Sequence, residues 1–344
     1  MCSIKKYLII CTLRLGDVLL STPIANSIRV KDPEAQIDYL VLKGSEGILE
    51  GNPDINQVIA LPHRTSFIHR IKEYFSLWRK YDVALSPVSS DRARLYGFIA
   101  GKKFYGFYNE HTSQLSKFFL TDGFLFDNIN THTVIHNQKL LSFIDIKPSN
   151  KVIPPFKELN LSNIVLTQEY IVIHPYPKFN YKMWDKNKWV ELVRYIQERN
   201  IAVVLTGGSE KDEIEYCKDI EKATQCKNLA GKLSLGEVAH LIKGAKYFVG
   251  PDTGITHIAA ATGVRTIALF GPTNPVKWGP WPYNYSHGNP WSTNSNNTIM
   301  NISIIQGEQT CIPCGKEGCK NTIISYSDCL LLMPTKLITK QLNI

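Results

Sequence analysis

Short apolar, β-rich runs alternate with helical patterns along this chain, and this rhythm limits the possible folds more than any other feature. The first series begins with YLIICTL, and a helical pattern follows from Val18 to Lys31. It continues through QIDYLVL, QVIAL, a helical pattern from Ser66 to Lys80, and DVALSP. Strands that alternate with helices form a parallel sheet covered on both faces. The first half of the chain is therefore predicted to be a doubly wound α/β domain.

The rhythm breaks near Ile146 and then starts again. The segment IKPSNKVIPPFKELNLSN contains three prolines and has no sustained periodicity, so it is predicted to be a linker. The second series runs through YIVIHP, AVVLTGG, YFVG and RTIALFG, with helical patterns between them. We therefore predict an α/β protein of two doubly wound, Rossmann-like domains, residues 1–160 and 161–344. The carboxyl ends of their strands are expected to face each other across a ligand-binding cleft.

Composition places the chain among soluble globular proteins. Apolar residues make up 44% and charged residues 20%, and no stretch approaches 18 consecutive apolar residues. Arg14 and Asp17 interrupt the first apolar run before it can serve as a signal peptide. We therefore expect a reducing, cytoplasmic location, where the eight cysteines are thiols or metal ligands rather than disulfides.

The net charge of +9 is unevenly distributed. Residues 61–120 contain ten Lys or Arg against four Asp or Glu, so most of the excess lies in this block. A basic face attracts polyanions such as anionic phospholipids, phosphorylated glycans or nucleic acid. The alternative is a solvated surface without a partner.

The first candidate site is RLGD, residues 14–17, which directly follows YLIICTL. Gly16 permits a tight turn, and Asp17 then falls at the first positions of a helix, where N–H groups and the helix dipole favour a carboxylate. One interpretation is a structural N-cap. However, the carboxyl end of the first strand is also where such a domain binds ligands. An ionised carboxylate there can accept a proton from a hydroxyl, which makes Asp17 our candidate general base.

The second candidate site is GPDTGITHIAAATG, residues 250–263. Thr253 and Gly254 begin a helix whose first N–H groups suit a diphosphate. Asp252 would repel a phosphate in direct contact, so we assign it to sugar hydroxyls or to pairing with a cation. His257 lies one turn inside the helix, where a packing or orienting role is at least as good an interpretation as a reacting one.

Two further segments are predicted to join this donor site. Lys182, in HPYPKFNYKMW, can reach the same diphosphate and neutralise its charge, although a solvated lysine is the alternative. Gly207 and Gly208 follow AVVLT and bring a third strand end to the site. The sequence has no GxGxxG, no P-loop and no DxD pair. Charge on a departing diphosphate would then be met by backbone amides and lysine, so no cofactor is expected in the chemistry.

Four cysteines near the end of the chain have the spacing C-x2-C-x4-C-x9-C. They are Cys311, Cys314, Cys319 and Cys329. Gly315 and Gly318 permit sharp turns between them, and four thiolates so arranged suit a structural zinc or iron ion. Free thiols in a packed knuckle are the alternative.

Two of these segments together resemble the motifs of the family 9 glycosyltransferases, typified by the lipopolysaccharide heptosyltransferases. RLGDVLLSTPIANSIR is similar to the opening motif of the family, and GPDTGITHIAAATGVRTIALFGPTNP is similar to its second-domain signature, in the same order. The resemblance implies a GT-B fold. It also implies an inverting, metal-independent transfer of a sugar, usually from ADP-heptose, to a lipopolysaccharide core. A Cys-rich tail occurs in many members.

The resemblance also implies roles for individual residues. Asp17 matches the proposed general base of the family, and Lys182 matches a lysine that contacts the phosphates. The donor site is matched by Asp252, Thr253, Gly254 and His257. Tyr176 departs from the family, which often has HPGA where this chain has HPYP, and is expected to narrow the donor site.

The basic first domain is expected to bind the acceptor. The candidate acceptor-binding residues are Arg14, Arg92 and Arg94. The expected partners are a nucleotide-sugar donor, a lipid-linked glycan and, through peripheral contact, the anionic inner membrane.

Two other functions stay open at this point. A sugar-nucleotide epimerase with the same fold would act on the donor without an acceptor. A basic zinc-knuckle protein that binds nucleic acid would use the aromatic residues between positions 96 and 108 for base stacking. That function leaves both motifs unexplained, so nucleic acid is not an expected partner.

Overall fold

The chain divides at Pro155 into two units, Met1–Pro155 (unit 1) and Phe156–Ile344 (unit 2). The computed structural model describes residues 4–64, 66–160 and 169–344. The division falls inside the predicted linker, five residues before the predicted boundary at 160. The last part of that linker prediction, residues 161–163, lies outside the described residues.

The described part of unit 1 contains a six-stranded sheet in which every strand pair is parallel. Its strands are β1 (Lys6–Cys11), β2 (Gln36–Leu42), β3 (Gln57–Leu61), β4 (Tyr81–Ser86), β5 (Gly101–Tyr108) and β6 (Asp122–Leu125). The helices are α1 (Leu15–Lys31), α2 (Phe67–Leu77), α3 (Asp91–Ala100), α4 (Gln114–Lys117) and α5 (Thr133–Gln138). The strand order β3-β2-β1-β4-β5-β6 reverses between β1 and β4. In a doubly wound sheet, the carboxyl ends of the strands at such a reversal form the ligand-binding crevice.

Among the residues described for unit 2, a seven-stranded sheet has the order β12-β13-β11-β10-β7-β8-β9. Its strands are β7 (Tyr170–Ile173), β8 (Ala202–Leu205), β9 (Lys227–Asn228), β10 (Tyr247–Pro251), β11 (Arg265–Phe270), β12 (Thr298–Ile299) and β13 (Ile302–Gln306). The helices are α6 (Lys186–Gln197), α7 (Lys211–Thr224), α8 (Leu235–Lys243), α9 (Gly254–Thr262), α10 (Pro275–Trp278), α11 (Asp328–Leu331) and α12 (Thr335–Thr339). Among these described strands, only the β12–β13 pair is antiparallel, and the order reverses between β7 and β10.

The central strands are buried along nearly their whole length, because helices cover both faces of each sheet. In unit 1, the residues of β1 after Lys6 are at most 2% exposed. In unit 2, the rings of Trp184 and Trp189 pack edge to face with centroids 4.7 Å apart. The indole N–H of Trp184 donates to the carbonyl of Met333 at 2.9 Å, so the C-terminal segment belongs to the core of this unit.

The structure confirms both predicted series of strands and helices. It also adds β5, β6, β9, β12 and β13, which the sequence patterns did not indicate. None of the helices in the three described ranges is long and apolar enough to cross a membrane.

Candidate active site

Asp17 lies at the carboxyl edge of the unit 1 sheet, just after β1 and therefore at the reversal of strand order. The helix begins at Leu15, three residues before the predicted start, and Arg14 rather than Asp17 is its N-cap. Asp17 is the third residue of α1, and its Oδ2 accepts a hydrogen bond from the backbone N–H of Arg14 at 3.3 Å. This bond orients the half-buried carboxylate.

The negative charge of Asp17 affects its surroundings. Burial raises the pKa of the Cys11 thiol at the end of β1, and the nearby carboxylate of Asp17 raises it further. Cys11 is therefore a neutral, buried thiol, and Asp17 supplies the charge at this edge. The role of Asp17 as a general base stays a prediction.

The three candidate acceptor arginines have different surroundings. Arg14 is exposed, and Arg92 is half-buried with its Nη2 donating to the carbonyl of Pro62 at 2.8 Å. Both follow β1 or β4, the two strands at the reversal. Their guanidinium groups are thus placed near the predicted ligand-binding edge.

Arg94 is buried, and its guanidinium is engaged within unit 1. It donates to Asp91 Oδ1 at 2.6 Å, to Ser116 Oγ at 2.7 Å and to the carbonyl of Phe107 at 3.2 Å. These bonds join α3 to β5 and α4. The geometry gives Arg94 a packing role, so the acceptor proposal below is based on Arg14 and Arg92.

The reversal in unit 2 contains a buried ion pair. Lys182 Nζ donates to Asp252 Oδ2 at 2.5 Å, although the two residues are 70 positions apart in the sequence. Burial opposes ionisation of Asp252, but Lys182 and His257 hold the pKa of its carboxyl below the usual value. The cation predicted as a partner of Asp252 is therefore Lys182.

His257 lies beside this pair, with its Nε2 4.0 Å from Asp252 Oδ1. Burial lowers the pKa of His257 to about 4, so the ring is neutral at pH 7. Within the described chain, the buried Nδ1 of His257 has no hydrogen-bond partner. The ring therefore retains one polar atom that can interact with a ligand.

Thr253 caps α9 as predicted. Its Oγ1 accepts from the N–H of Thr256 at 3.4 Å, and Gly254 is the first residue of the helix. An α-helix provides no internal acceptors for its first N–H groups. The N–H groups of Gly254 and Ile255 consequently stand at the carboxyl end of β10, next to the ion pair, where a helix can bind an anion.

Glu213 of α7 lies beside the strand end after β8, and sequence reasoning missed it. The N–H of Gly208 donates to Glu213 Oε2 at 2.5 Å, and a Cβ at position 208 would lie 2.8 Å from that oxygen. Burial raises the pKa of Glu213, since its carboxylate is partly removed from water. Gly207 is also confined, because a Cβ there would lie 3.1 Å from that of Ala230. Gly207 thus packs closely on Ala230, and Gly208 on the Glu213 carboxylate.

Two more residues belong to the edge formed by β7, β8, β10 and β11. His174, directly after β7, is buried, has a pKa lowered to about 4 by burial, and lies 3.2 Å from Thr206 Oγ1. Thr273, shortly after β11, forms a side-chain hydrogen bond that favours the ionised form of Asp252. Thr273 could have been predicted from its position. Like the polar residues that follow the neighbouring strands, it lies just past the carboxyl end of its strand.

Tyr176 lies on the same side of unit 2. Its ring packs edge to face on Tyr216 of α7, with centroids 5.3 Å apart. Burial raises the pKa of Tyr176, and the carboxylates of Asp212 and Glu213 add to this effect. The narrowing of a donor site by Tyr176 stays a prediction.

The Cys-rich tail packs against the segments that carry the site. Ser327 Oγ donates to the carbonyl of Tyr181, next to Lys182, at 2.7 Å. Asn180 Nδ2 donates to the carbonyl of Ile324 at 3.1 Å, and the N–H of Gly315 donates to the carbonyl of Pro272 at 2.8 Å. The tail therefore supports both the Lys182 segment and the loop after β11.

The four cysteines of the tail differ in exposure. Cys311, Cys314 and Cys319 are exposed, whereas Cys329 is buried; burial and then the three neighbouring thiols raise its pKa. Gly315 and Gly318 have φ of 68° and 85°, which confirms the predicted turns. As placed, no three His, Cys, Asp or Glu side chains in the described ranges form a group that could hold a metal ion. The zinc or iron site stays a prediction.

A profile of glycosyltransferase family 9 (heptosyltransferase) matches residues 68–322, well over half of the chain. The chain belongs to glycosyltransferase family 9. It is therefore a glycosyltransferase, and the predicted family and enzyme class are confirmed.

Two lipopolysaccharide heptosyltransferases are similar in sequence to this chain over most of their length. Lipopolysaccharide heptosyltransferase 3 of Escherichia coli is 28% identical over 288 residues, which cover 78% of this chain and 84% of that protein. Lipopolysaccharide heptosyltransferase 2 of Salmonella typhimurium is 25% identical over 308 residues, which cover 78% and 84%.

A solved structure shows the fold of this family 9 member. The E. coli ADP-heptose lps heptosyltransferase II superposes with a TM-score of 0.75 at 20% identity, covering 99% of this chain and 98% of that one. Together with the two parallel sheets, this likeness confirms the predicted fold class, a GT-B protein with two Rossmann-like domains.

Proposed function

We propose that this enzyme transfers a heptose from ADP-heptose to a lipopolysaccharide core acceptor, with inversion at the anomeric carbon. Its relatives named above are lipopolysaccharide heptosyltransferases, which supports the sugar and the acceptor. The observation that carries the proposal is the pair of sites at the two strand reversals. One provides the carboxylate of Asp17, and the other provides a lysine beside a helix N-terminus.

In the proposed reaction, an acceptor hydroxyl oxygen attacks the anomeric carbon and its proton passes to Asp17. The bond from that carbon to the diphosphate oxygen breaks, and its electron pair leaves with ADP. Because attack and departure take place on opposite faces of the sugar, the configuration inverts. Arg14 and Arg92 are proposed to bind anionic groups of the acceptor, for which their guanidinium geometry is suited.

The departing diphosphate is proposed to bind the N–H groups at the start of α9 and Lys182. A lysine ammonium has three N–H donors. Lys182 can thus keep its bond to Asp252 and still donate to a phosphate oxygen. Asp252 orients the ammonium, and Gly207, Gly208 and Glu213 are proposed to surround the nucleoside.

A donor panel tests the substrate assignment. Since a ligand that binds only the native state adds about 2.7 kcal/mol at 100 times its Kd, ADP and ADP-heptose should raise Tm by several degrees. UDP and GDP should raise it far less. Transfer should require both donor and acceptor and give a product of inverted configuration by NMR coupling constants. Equal shifts with all nucleotides, or an altered nucleotide sugar formed from donor alone, would contradict the assignment.

We propose further that no metal takes part in the chemistry, and that the four cysteines hold a structural zinc or iron ion. Four thiolates suit either ion, and the contacts of the tail with Tyr181 and Pro272 give such an ion something to stabilise. The rate of sugar transfer is expected to be unchanged when EDTA is added to the assay. Protein purified without chelator is expected to contain one metal equivalent, and Cys314→Ser should lower both metal content and Tm. An unchanged metal content in that variant, or the absence of metal from the native protein, would contradict the structural site.

A further inference from the structure

Helix α2 exposes apolar side chains that a helix of a globular domain would normally bury. Phe67, Ile68, Phe75 and Trp78 are 78%, 70%, 79% and 59% exposed. Successive helical residues are rotated by about 100°, so these four side chains fall within one arc of about 100°. The exposed aromatic and aliphatic groups therefore form one continuous face rather than scattered positions. We call this the α2 face.

The opposite side of α2 is fixed to unit 1. Leu77 is buried, and Glu73 Oε2 accepts a hydrogen bond of 2.7 Å from the hydroxyl of Tyr96 on α3. Tyr74 lies at the border of the apolar arc, about 20° from Phe67 by helical rotation, and its ring packs edge to face on that of Tyr96, with centroids 5.3 Å apart. Because Leu77 and Glu73 attach α2 to unit 1, the α2 face is directed away from the core of that unit. No packing inside unit 1 among the described residues buries the four apolar side chains of the α2 face.

Basic residues border the α2 face. Arg70 and Lys72 are exposed, and by helical rotation they fall on either side of the apolar arc. Arg64 precedes the helix and Lys80 follows it, whereas Arg79 Nη1 donates to the carbonyl of Gly101 at 2.7 Å. Long basic side chains at the borders of an apolar face can reach lipid phosphates while their aliphatic parts stay in the interface. A helix of this pattern typically lies in the plane of a membrane surface.

We propose that the α2 face docks this enzyme on an anionic phospholipid surface, with Phe67, Ile68, Phe75 and Trp78 inserted between head groups. The charge of this part of the chain complements anionic lipid, and acidic residues are scarce on the helix, where Glu73 is occupied by Tyr96. The inference goes beyond the proposed function, since docking requires neither ADP-heptose nor transfer. It explains how a protein without a spanning helix in its described residues would meet a lipid-linked acceptor.

Vesicle sedimentation with the full-length protein tests the proposal. Vesicles of phosphatidylethanolamine with about one third phosphatidylglycerol should bind the native enzyme, and neutral phosphatidylcholine vesicles should bind it weakly. Phe67→Ser with Phe75→Ser, and separately Arg70→Glu with Lys72→Glu, should each weaken binding about tenfold or more. All four positions are exposed, so the variants should keep the Tm of the native enzyme.

Matched controls separate the α2 face from general effects. Lys218→Glu with Lys222→Glu changes the charge equally at exposed positions of α7, and Val30→Ser removes an apolar side chain that is 71% exposed on α1. Both should bind vesicles like the native enzyme. Equal losses in the controls and the α2 variants would overturn the proposal. So would self-association abolished by Phe67→Ser and Phe75→Ser without any vesicle binding, since the face would then be a protein interface.

Transfer to a delipidated acceptor in solution distinguishes this proposal from the proposed function. The α2 variants should retain that activity and the thermal shift with ADP. Loss of vesicle binding with intact transfer in solution supports docking by the α2 face. Absent transfer with intact vesicle binding would reject the assigned reaction but leave the docking surface in place.

Discussion

Asp17→Asn is expected to lower kcat for sugar transfer by about 10³-fold while leaving the Kd for ADP unchanged. Asparagine has nearly the same size, and its Oδ1 can still accept the N–H of Arg14 that Asp17 accepts at 3.3 Å. It cannot take a proton at neutral pH, and a positioned general base contributes about 10² to 10⁴ in rate. Single-turnover kinetics with ADP-heptose and acceptor measure the chemical step, and the thermal shift with ADP measures donor binding.

Asp32→Asn is the control, because Asp32 is the C-cap at the opposite end of the same helix. It should keep both kcat and Tm near the native values. If Asp17→Asn retained turnover, Asp17 would be a structural residue of the helix start, which is the alternative that the sequence left open. A fall in Tm together with a loss of ADP binding would point to the same conclusion.

The two strand reversals explain why the positions of the site residues were predictable. Asp17 and Asp252 each follow a short apolar strand. In open α/β sheets, ligands bind at the carboxyl ends of the strands, so this position alone marked both residues as candidates. β2 and β3 occupy the residues of the QIDYLVL and QVIAL runs. Local sequence was sufficient because these short segments are rich in apolar and β-branched residues and are bounded by polar residues.

Contacts between distant segments were beyond the reach of periodicity. The pairing of Lys182 with Asp252 depends on the neighbouring positions of β7 and β10, which only the strand order defines. The β5 segment GKKFYGFY has two lysines directly after its first residue and therefore lacks the signature of a buried strand. Arg94 belongs to the basic block by charge, but burial reserves it for contacts inside unit 1.

Helix α2 shows a different limit of sequence analysis. Its periodicity predicts an amphipathic helix, and the structure has one from Phe67 to Leu77. Periodicity alone assigns the apolar side to a core, yet Phe67 and Phe75 are exposed and Leu77 is the residue that packs inward. The pattern therefore fixes which residues share a face, whereas the tertiary contacts of Glu73 and Tyr74 decide which face meets solvent.

Lys182→Met is expected to lower both stability and turnover, and a second substitution should separate the two effects. Asp252 is 5% exposed, so removing its partner leaves a buried charge and should cost about 3 kcal/mol in the free energy of unfolding. Loss of the ammonium that is proposed to stabilise the departing diphosphate should reduce kcat by about 10² to 10³. Urea denaturation and steady-state kinetics measure the two quantities.

The double variant Lys182→Met, Asp252→Asn removes both charges, so most of the lost stability should return while kcat stays low. Lys186→Met is the matched control, because Lys186 forms an ion pair of 2.6 Å with Asp219 at exposed positions, where such pairs contribute little to stability. If the double variant regained turnover along with stability, Lys182 would serve only to neutralise Asp252. Low turnover in a stable double variant would show that the Lys182–Asp252 pair is needed for the reaction itself and not only for stability.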